Sequence, residues 1–388
     1  MKKVRPTTKV KDALRRRIVR SLRSQGFEVA RGTVLPPNEL TKEKIRALHA
    51  TAVAHRIERA RDGLCRHEKA LLKRIASAYE VVPDRISPKL VEVARGSEDE
   101  LLFRYASLHW SIPVSSGYGR RLRFLVVDES NGMLMGLIGL GDPVFSLAPR
   151  DQWIGWTAVQ RKRRLRHVMD AFVLGAVPPY SHFLCSKLVA MLATSTTVRA
   201  AFNRKYGGRR PVIRRTPHDG RLAMITTTSA LGRSSVYNRL RFEDHRLFNA
   251  VGYTRGSGEF HFANGLYGSL TAFAIKHCEP TAKRRRWGTG FRNRREIIKK
   301  SLPALGLSSE WLYHGIEREV FTVPLAHNTR EFLRAEHSRL RWFQHSEKAL
   351  FEHFRDRWML PRLSREGQCR SWSKNEWALW LKEKDLRA

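Results

Sequence analysis

The stretch RLRFLVVDESNGMLMGLIGLG, residues 121–141, decides the fold. It contains two apolar runs, 121–127 and 133–141, and the short polar segment between them includes Asn131 and Gly132. Apolar runs joined by a short Asn-Gly loop are typical of a β-hairpin, because these residues tolerate the positive φ that tight turns need. The sequence therefore predicts two antiparallel strands near the middle of the chain.

Segments on either side of this hairpin also have recognisable periodicity or apolar content. Strands are predicted from short apolar runs at 101–112, 151–157, 167–177 and 222–228. Helices are predicted from apolar residues three to four apart, or from capping residues, at 8–25, after Thr41, at 64–79, at 184–206 and at 233–240. A last hairpin-like segment covers 252–262. This order of elements predicts an α+β fold built on a mixed β-sheet.

Changes of composition divide the chain into three predicted regions. Residues 1–95 are basic and mostly helical, and residues 96–300 contain the predicted α/β sheet domain. Residues 301–388 return to helix and are rich in aromatic side chains. In that last region Leu350 and Phe354 lie four residues apart, a spacing typical of a helix face packed on a core.

The charge of the chain is strongly unbalanced. Its 388 residues include 73 Lys and Arg against 36 Asp and Glu, a formal net charge of +37. Most of the excess lies in four segments, 1–31, 161–166, 204–215 and 283–300. Separate basic segments with few compensating acids favour a polyanionic partner, and the phosphate backbone of DNA is the leading interpretation. We expect the four segments to line one DNA path.

Other partners explain this charge less well. General solubility or a nuclear-type address would also produce basic runs, and RNA is an alternative to DNA. A membrane partner is not expected, because no apolar run reaches the roughly 18 residues of a membrane span. The four cysteines lie far apart without a CxxC pair, which fits a reducing cytoplasm rather than a zinc site or a disulfide framework. DNA binding in that compartment would place the protein at the nucleoid.

Particular basic and aromatic residues are candidates for DNA contact. Basic groups next to aromatic rings, as in 283–295, suit backbone tracking combined with base stacking, and a solvated loop is the alternative. The candidate nucleic-acid-binding residues are Arg15, Arg16, Arg17, Arg120, Arg121, Arg161, Lys162, Arg163, Arg164, Arg209, Arg210, Arg233, Ser234, Lys283, Arg284, Arg285, Arg286, Trp287 and Arg292.

Three aspartates near predicted strand ends are candidate catalytic residues. Carboxylates that converge from strand ends can hold Mg²⁺ for phosphodiester chemistry, since hard oxygen ligands suit that ion. Asp142, Asp151 and Asp170 occupy such positions, and Asp170 lies inside an otherwise apolar run, where a buried carboxylate needs a partner. The alternative is structural, because Asp142 precedes Pro143 and Asp151 can pair with Arg150.

A second candidate site combines Tyr237, Glu259 and His261. Residues two apart share one face of a strand, so Glu259 and His261 would present an acid and an imidazole together. Tyr237 would then be the nucleophile toward a phosphate, unless the tyrosine and the histidine are simply packed residues. Ser234 is a natural helix cap, and free N–H groups beside Arg233 would offer a seat for a phosphate, with simple capping as the alternative.

The order of predicted elements between residues 100 and 262 resembles the GNAT N-acyltransferase fold. The resemblance implies that a helix N-terminus after the fourth strand holds the pyrophosphate of acyl-coenzyme A. It also implies a short helix that carries a tyrosine, which Tyr237 matches. The loop at 180–187, YSHFLCSK, lacks the glycines of that family, so coenzyme A is not an expected cofactor.

A closer resemblance covers residues 103–321. The strings that carry it are GYGRRLRFLV, IGLGDPVF, RDQWIGW, MDAFVLGAVPPYS, TSALGRSSVYNRL, GYTRGSGEFHF and HGIEREVF. They are similar to the A-component family of the Druantia anti-phage system. The resemblance implies a bacterial, DNA-linked role in phage defence or in mobile-element biology.

Three functions follow from these observations. The leading one is DNA binding in an anti-phage or mobile-element context. The first alternative is a DNA-acting enzyme, either a metal-dependent nuclease or strand-transfer protein that uses the carboxylates, or an acyltransferase that modifies DNA bases. The second is a scaffolding subunit that delivers a helicase or another defence-system subunit to DNA, and an oligomer is compatible with each of them.

Overall fold

The structure is a computed structural model of the chain. It describes residues 6–30, 32–114, 119–210, 216–262, 265–281, 287, 291–363 and 371–381. The chain divides into two compact units, neither of which is continuous in sequence. Unit 1 comprises Met1–His55, Ala230–Gly232 and Tyr253–Arg318. Unit 2 comprises Arg56–Ser229, Arg233–Gly252 and Glu319–Ala388.

Helices and strands alternate along the described residues. The α-helices are α1 Thr8–Ser24, α2 Lys42–Leu64, α3 Glu68–Leu72, α4 Glu98–Ala106, α5 Ala148–Ile154, α6 Ala158–Arg164, α7 Cys185–Leu192, α8 Thr196–Tyr206, α9 Leu266–His277, α10 Phe291–Ala304, α11 Thr329–Leu333, α12 Glu347–Phe354 and α13 Leu360–Leu363. The strands are β1 Glu28–Ala30, β2 Thr33–Leu35, β3 Pro88–Glu92, β4 Arg121–Asp128, β5 Met133–Gly141, β6 Val168–Ala176, β7 Met224–Thr228, β8 Arg241–Phe242, β9 His245–Arg246, β10 Asn249–Tyr253 and β11 Glu319–Pro324.

The central hairpin is confirmed, since β4 pairs antiparallel with β5. Its turn is held by the carboxylate of Asp128, which has no exposed surface. Asp128 Oδ1 accepts hydrogen bonds from the backbone N–H groups of Ser87, at 3.0 Å, and Ser130, at 3.1 Å. The Tyr180 hydroxyl donates to the other oxygen at 2.9 Å. These bonds satisfy the buried charge and connect the hairpin turn to two other segments.

A seven-stranded sheet extends from this hairpin in the order β10-β11-β7-β6-β5-β4-β3. The pairs β3–β4, β4–β5, β5–β6 and β7–β11 are antiparallel, whereas β6 and β7 are parallel. A tight turn cannot join parallel neighbours, and α7 and α8 provide the crossover between them. The predicted α+β class with a mixed sheet is confirmed.

Both faces of this sheet are buried. In β4, Leu122 and Phe124 belong to one core cluster with α7 and α8, whereas Leu125 and Val127 belong to a second cluster with α4. Successive side chains of a strand point to opposite faces. A strand covered on both faces therefore carries apolar residues at nearly every position, which explains the continuous apolar runs of β4 and β5.

Unit 1 has a core of its own. Ile18 and Leu22 of α1 are fully buried and share a cluster with residues of α9 and α10. They lie four residues apart, as the predicted helix over 8–25 requires, and that helix is confirmed. Arg16 and Arg17 are exposed. None of the described helices in either unit combines the length and the apolar character needed to cross a membrane.

The strands predicted at 101–112 and 151–157 are wrong, because these segments are largely helical. In α4, the Ser97 side chain accepts a hydrogen bond from the backbone N–H three residues later, and three acidic residues occupy the first turn. In α5, Pro149 lies in the first turn and Gly155 adopts a left-handed conformation after the last. Short apolar runs do not separate a buried helix from a buried strand, so the capping residues decide.

Three predicted helices also differ from the structure. The segment 64–79 contains only the short helix α3 between turns and 3-10 helices. The segment 184–206 forms two helices, α7 and α8, because the Ser195 side chain accepts a hydrogen bond from the Val198 N–H and starts α8 afresh. The segment 233–240 consists of turns and bends rather than a helix. Tyr237, which was expected at the end of that helix, therefore lies in a turn.

The segment predicted as a hairpin at 252–262 ends in a turn. The Phe262 N–H donates to the Glu259 carbonyl at 3.1 Å, so Glu259 and His261 do not lie on one face of a strand. The chain also has a strand that the sequence did not suggest, β11, in a region predicted to be helical. It lies between β7 and β10 in the sheet.

Candidate nucleic-acid interface

One end of the sheet in unit 2 brings charged side chains together. Gly141, the last residue of β5, lies opposite Arg121 on one side and Asp170 on the other. Asp142 follows Gly141 directly. Burial lowers the pKa of Arg150, and the negative charges of Asp151 and Asp170 both oppose that shift. The three aspartates that the sequence singled out are therefore associated with the same end of the sheet.

Asp142 fixes the position of Arg120. Arg120 Nε donates to Asp142 Oδ1 at 2.7 Å, and the Arg120 backbone N–H donates to Oδ2 at 3.0 Å. The terminal guanidinium nitrogens donate to the carbonyls of Arg166 and Val168. A Cβ on Gly119, at φ +75°, would lie 2.0 Å from Asp142 Oδ2, so this approach requires glycine.

Asp151 binds four donors in unit 2. Its Oδ1 accepts hydrogen bonds from Arg150 Nε, at 2.8 Å, and Trp156 Nε1, at 3.1 Å. Its Oδ2 accepts from Arg161 Nη1 and from the Leu147 backbone N–H, both at 3.0 Å. Arg150 has no exposed surface. Burial lowers the pKa of Arg150, and the charge of Asp151 opposes that shift.

Asp170 lies on β6 beside the parallel strand β7 and is half-buried. Thr226 Oγ1 donates to its Oδ1 at 2.8 Å. All three aspartates therefore accept hydrogen bonds from protein groups, and Asp142 and Asp151 do so from arginines. A Mg²⁺ ion at either of those two would compete with a guanidinium for the same oxygen atoms, so magnesium binding here stays a prediction.

Two buried histidines at this end were not identified from the sequence. Among the described residues, ligand atoms of His167, His218 and Asp219 lie within 4.8 Å of one another. The Gly220 N–H donates to His218 Nδ1 at 2.9 Å, which places the proton on Nε2. Nε2 in turn donates to the Arg166 carbonyl at 2.9 Å. Both ring nitrogens of His218 are therefore hydrogen-bonded to the backbone. The ring holds the surrounding chain in place and does not offer a free nitrogen to a metal ion.

His167 orients a second arginine segment. Its Nδ1 donates to the Arg221 carbonyl at 3.0 Å, and its ring meets the Phe332 ring edge-on with 5.0 Å between centroids. The guanidinium carbons of Arg164 and Arg221 lie 4.7 and 4.8 Å from the centroid of that phenylalanine ring. Burial lowers the pKa of His167, and the charge of Asp219 opposes the shift. The Phe332 ring, which packs against His167, therefore makes cation–π contacts with two arginines.

The segment before His218 adds further cations. The Gly208 N–H donates to the His218 carbonyl at 2.8 Å, and the His218 N–H donates to the Arg209 carbonyl at 2.9 Å. Parts of the predicted basic segments 161–166 and 204–215 therefore meet, although 211–215 lies outside the described residues. We call the basic residues gathered here the arginine edge: Arg120, Arg161, Lys162, Arg163, Arg164, Arg166, Arg209, Arg210 and Arg221. Of these, Lys162, Arg163, Arg209 and Arg210 are exposed.

The arginine edge lies within a region that is similar to known proteins. The family model described as Druantia protein DruA matches residues 39–335. The chain belongs to the DruA family. Druantia protein DruA of Escherichia coli strain UMEA 4076-1 is 41% identical over 360 residues, which cover 92% of this chain and 89% of that protein. No solved structure matches the chain. The predicted relationship with the Druantia A-component family is confirmed.

In this DruA-family chain, several predicted DNA-contact residues belong to unit 1. Arg15 donates to the Gly306 carbonyl at 3.4 Å, and Arg17 donates to Ser269 Oγ at 2.8 Å. Trp287 is half-buried against the unit 1 core. Lys283, Arg284, Arg285 and Arg286, and the side chain of Arg292, lie outside what the structure describes.

Three further candidates, Arg233, Ser234 and Arg121, belong to unit 2. Arg233 is exposed, whereas Ser234 is buried. The Ser234 N–H donates to Glu319 Oε2 at 2.9 Å, and its Oγ accepts from the Tyr237 N–H at 3.1 Å. A carboxylate of the protein therefore already occupies the position expected for a phosphate oxygen. Arg121 is half-buried, and its backbone carbonyl accepts a hydrogen bond from the Tyr206 hydroxyl at 2.6 Å.

Tyr237 is a packed residue in this fold. Its hydroxyl donates to the Leu174 carbonyl at 3.2 Å, and its ring stacks on Phe248 with 5.0 Å between centroids. Burial raises the pKa of Tyr237 to about 12. A nucleophilic role would require the phenolate, and burial disfavours that form.

Glu259 and His261 lie in the interior of unit 1. His261 Nε2 donates to the Trp311 carbonyl at 2.8 Å, and burial lowers the pKa of His261 to about 4. Burial raises the pKa of Glu259, and the charges of Arg295 and Arg294 oppose the shift. Both groups are thus pushed toward their neutral forms, and their role in catalysis stays a prediction.

Proposed function

We propose that this chain binds DNA as the DruA component of a Druantia-type anti-phage system, with the arginine edge on the phosphate backbone. The observation that carries the proposal is the way the edge is built. Asp142 holds Arg120 and Asp151 holds Arg161, and backbone carbonyls accept hydrogen bonds from the guanidinium of Arg120. Basic residues outnumber these aspartates, so a positive charge remains for a polyanion.

Ordered and exposed cations have different roles on this surface. Arg120 donates to Asp142 and to two carbonyls, so it contributes fixed positive charge, whereas an exposed guanidinium offers paired N–H donors that match phosphate oxygens. Around the ordered arginines, Lys162, Arg163, Arg209 and Arg210 are exposed. Cations of this kind displace the counterions condensed on DNA, so the binding they cause is independent of base sequence and strongly dependent on salt.

The proposal is tested by fluorescence anisotropy with the full chain and a labelled duplex of arbitrary sequence. We expect the association constant to fall by on the order of 10³ between 50 and 200 mM salt, as for a protein that makes about six phosphate contacts. The variant Lys162→Ala/Arg163→Ala/Arg209→Ala/Arg210→Ala should lower the slope of log K against log salt by about 3 to 4.

A matched variant controls for the loss of net charge. Lys69, Lys73, Arg85 and Lys348 are also exposed in unit 2 and lie outside the arginine edge. Their fourfold change to alanine should leave the slope close to that of the original protein. A salt-independent affinity, or equal slopes for the two variants, would remove the basis of the proposal. Competition with a duplex RNA of equal length compares the two nucleic acids on the same surface.

We infer that a second subunit of the defence system, such as a helicase, acts on the DNA that this chain holds. A scaffolding subunit needs a DNA contact of its own, and the arginine edge would supply it. The inference predicts that the subunit is retained on immobilised duplex only when this chain is present, and less so with the fourfold variant of the edge. Equal retention without this chain would contradict it.

We also propose that the middle of the sheet follows the GNAT arrangement without binding coenzyme A. The support is the parallel pair β6–β7 beside the hairpin, with α7 following β6. Leu184, at φ 63°, precedes α7 where that family has glycine, and the Tyr180 hydroxyl of the same loop bonds Asp128. Titration calorimetry with acetyl-coenzyme A should give no binding heat, and saturable binding would contradict the proposal.

A further inference from the structure

The loop between β5 and α5 exposes two adjacent apolar side chains. Val144 and Phe145 each keep 55% of their surface exposed, although Pro143 before them is buried. Val159, on the first turn of α6, is 61% exposed. Exposed apolar residues at single positions need no explanation, but adjacent ones beside a charged surface indicate a contact.

This loop is held from inside by a buried guanidinium. Arg150, which has no exposed surface, donates from Nη1 to the Val144 carbonyl at 2.9 Å and from Nη2 to the Phe145 carbonyl at 3.2 Å. Asp151 binds the same guanidinium and also accepts the Leu147 N–H at 3.0 Å. Both carbonyls are thus tied to the interior while the two side chains remain in solvent. The apolar tip is therefore fixed in place by groups of the protein.

The ring of Phe145 is also oriented. The guanidinium carbon of Arg161 lies 4.8 Å from the ring centroid, and Arg161 is held in turn by Asp151 at 3.0 Å. A cation over the ring face stabilises one ring position. More than half of the residue stays exposed, so the ring is presented to a partner without first having to be ordered.

The surroundings of the tip are cationic. Arg161 contacts Phe145, and Lys162 and Arg163 follow it on α6 as exposed residues of the arginine edge. A protein partner that covered an apolar tip among these cations would have to be acidic. Duplex DNA matches both the cations and the apolar tip, because its phosphates bind cations and its stacked bases contact apolar side chains.

We propose that Val144 and Phe145 form a wedge that enters a base step of duplex DNA held on the arginine edge. This proposal rests on the proposed DNA binding and deepens it. Apolar side chains that insert between base pairs unstack them and kink the duplex, while the surrounding cations bind the backbone. Pyrimidine–purine steps unstack most readily, so TA steps are the preferred position of the wedge.

The test uses the full chain and a duplex with 2-aminopurine at a central TA step and a fluorophore at each end. The original protein should raise the 2-aminopurine emission, because the base loses its stacking, and should shorten the end-to-end distance. Val144→Ala/Phe145→Ala should abolish both signals and change the duplex affinity by no more than about threefold, since the phosphate contacts remain. Phe145→Leu should retain both signals, because leucine is also used as a wedge.

Tyr79→Ala is the matched control, since Tyr79 is 80% exposed and lies outside the arginine edge, and it should behave like the original protein. Unstacking and bending that survive in the double alanine variant would overturn the wedge. The wedge would also be overturned if the protein bound the single strand more tightly than the duplex and Phe145→Ala removed that preference. Such a result would indicate that the ring stacks on unpaired bases. Salt-dependent binding without bending removes the wedge alone, whereas the absence of salt-dependent binding removes the proposed function as well.

Discussion

Glu68 binds the backbone of Leu381, 313 positions further along the chain, through a hydrogen bond of 2.7 Å from the Leu381 N–H to Glu68 Oε2. The same carboxylate, which has no exposed surface, accepts the N–H groups of Leu379 at 2.6 Å and Trp380 at 3.0 Å. Hydrogen bonds to a charged acceptor are stronger than those between neutral groups. One carboxylate of α3 therefore attaches the last described segment of unit 2.

Glu68→Gln is expected to loosen this attachment. An amide has one acceptor oxygen instead of two, so at least one backbone N–H loses its partner, and unfolding should become easier by about 2 kcal/mol. Urea unfolding and limited trypsin digestion after Lys374 measure the effect. Glu243→Gln, a change at an exposed glutamate of unit 2 outside the helices, should leave both measurements unchanged. If Glu68→Gln were as stable and as resistant as the original protein, the carboxylate would not hold the segment.

The ion pair between Arg120 and Asp142 should increase the free energy of unfolding. Asp142→Ala leaves a partly buried guanidinium without its carboxylate, at an expected cost of about 1–2 kcal/mol after allowance for solvent screening. A double-mutant cycle with Arg120→Met should then show a coupling of about 1 kcal/mol. Chemical unfolding of the four proteins supplies the numbers.

The same variant separates this role from metal binding. If Asp142 held Mg²⁺, the ion would raise the melting temperature of the original protein and would not raise that of Asp142→Ala. The structure leads us to expect the same response to Mg²⁺ from both proteins, because a guanidinium occupies the carboxylate oxygen. A magnesium effect present only in the original protein would restore the predicted metal site.

The sequence was informative where one local signal decides the structure. The hairpin of β4 and β5 follows from two apolar runs and an Asn-Gly turn, and β6 from a further apolar run. The helix α4 was missed because its apolar residues also fit a strand, and only the Ser97 cap and the acidic first turn identify it. The strand β11 was missed because pairing with β7, a long-range contact, determines it.

The candidate site was predictable only in part, for the same reason. Basic runs indicated Arg161 to Arg164 and Arg209, but the sequence does not reveal that His218 connects those runs. That connection depends on the parallel pairing of β6 with β7, in which Val168 lies opposite Met224. The aspartates were candidates for a metal or for structural roles, and in the structure they hold arginines or a threonine. Side-chain pairing across strands cannot be read from single positions, and the metal stays a prediction.

Tyr237→Phe distinguishes a packed tyrosine from a nucleophile. The change removes the hydroxyl that bonds the Leu174 carbonyl and leaves the ring stacked on Phe248. We expect a loss of about 1 kcal/mol in the free energy of unfolding and unchanged DNA binding. Trapping of a covalent protein–DNA adduct by the original protein, with none in the variant, would instead support the nucleophile.

The stability of the fold should fall as the pH is lowered below about 6.5, the usual pKa of histidine in an unfolded chain. Burial lowers the pKa of His261 to about 4, so between these pH values this histidine binds a proton in the unfolded chain but not in the folded protein. The folded state thus binds fewer protons, and each such group removes up to about 1.4 kcal/mol per pH unit in that window. Burial shifts the pKa in the same direction for His49, His109, His314 and His345.

His261→Gln tests the contribution of one of these groups. Glutamine can still donate a hydrogen bond to the Trp311 carbonyl, as His261 does, but it does not titrate. The fall in stability between pH 6.5 and pH 4.5 should therefore be less steep in the variant by up to about 1.4 kcal/mol per pH unit, measured as urea unfolding at several pH values. His55→Gln, a change at an exposed histidine, should keep the slope of the original protein. A slope unchanged in His261→Gln would mean that this ring is already charged in the folded state.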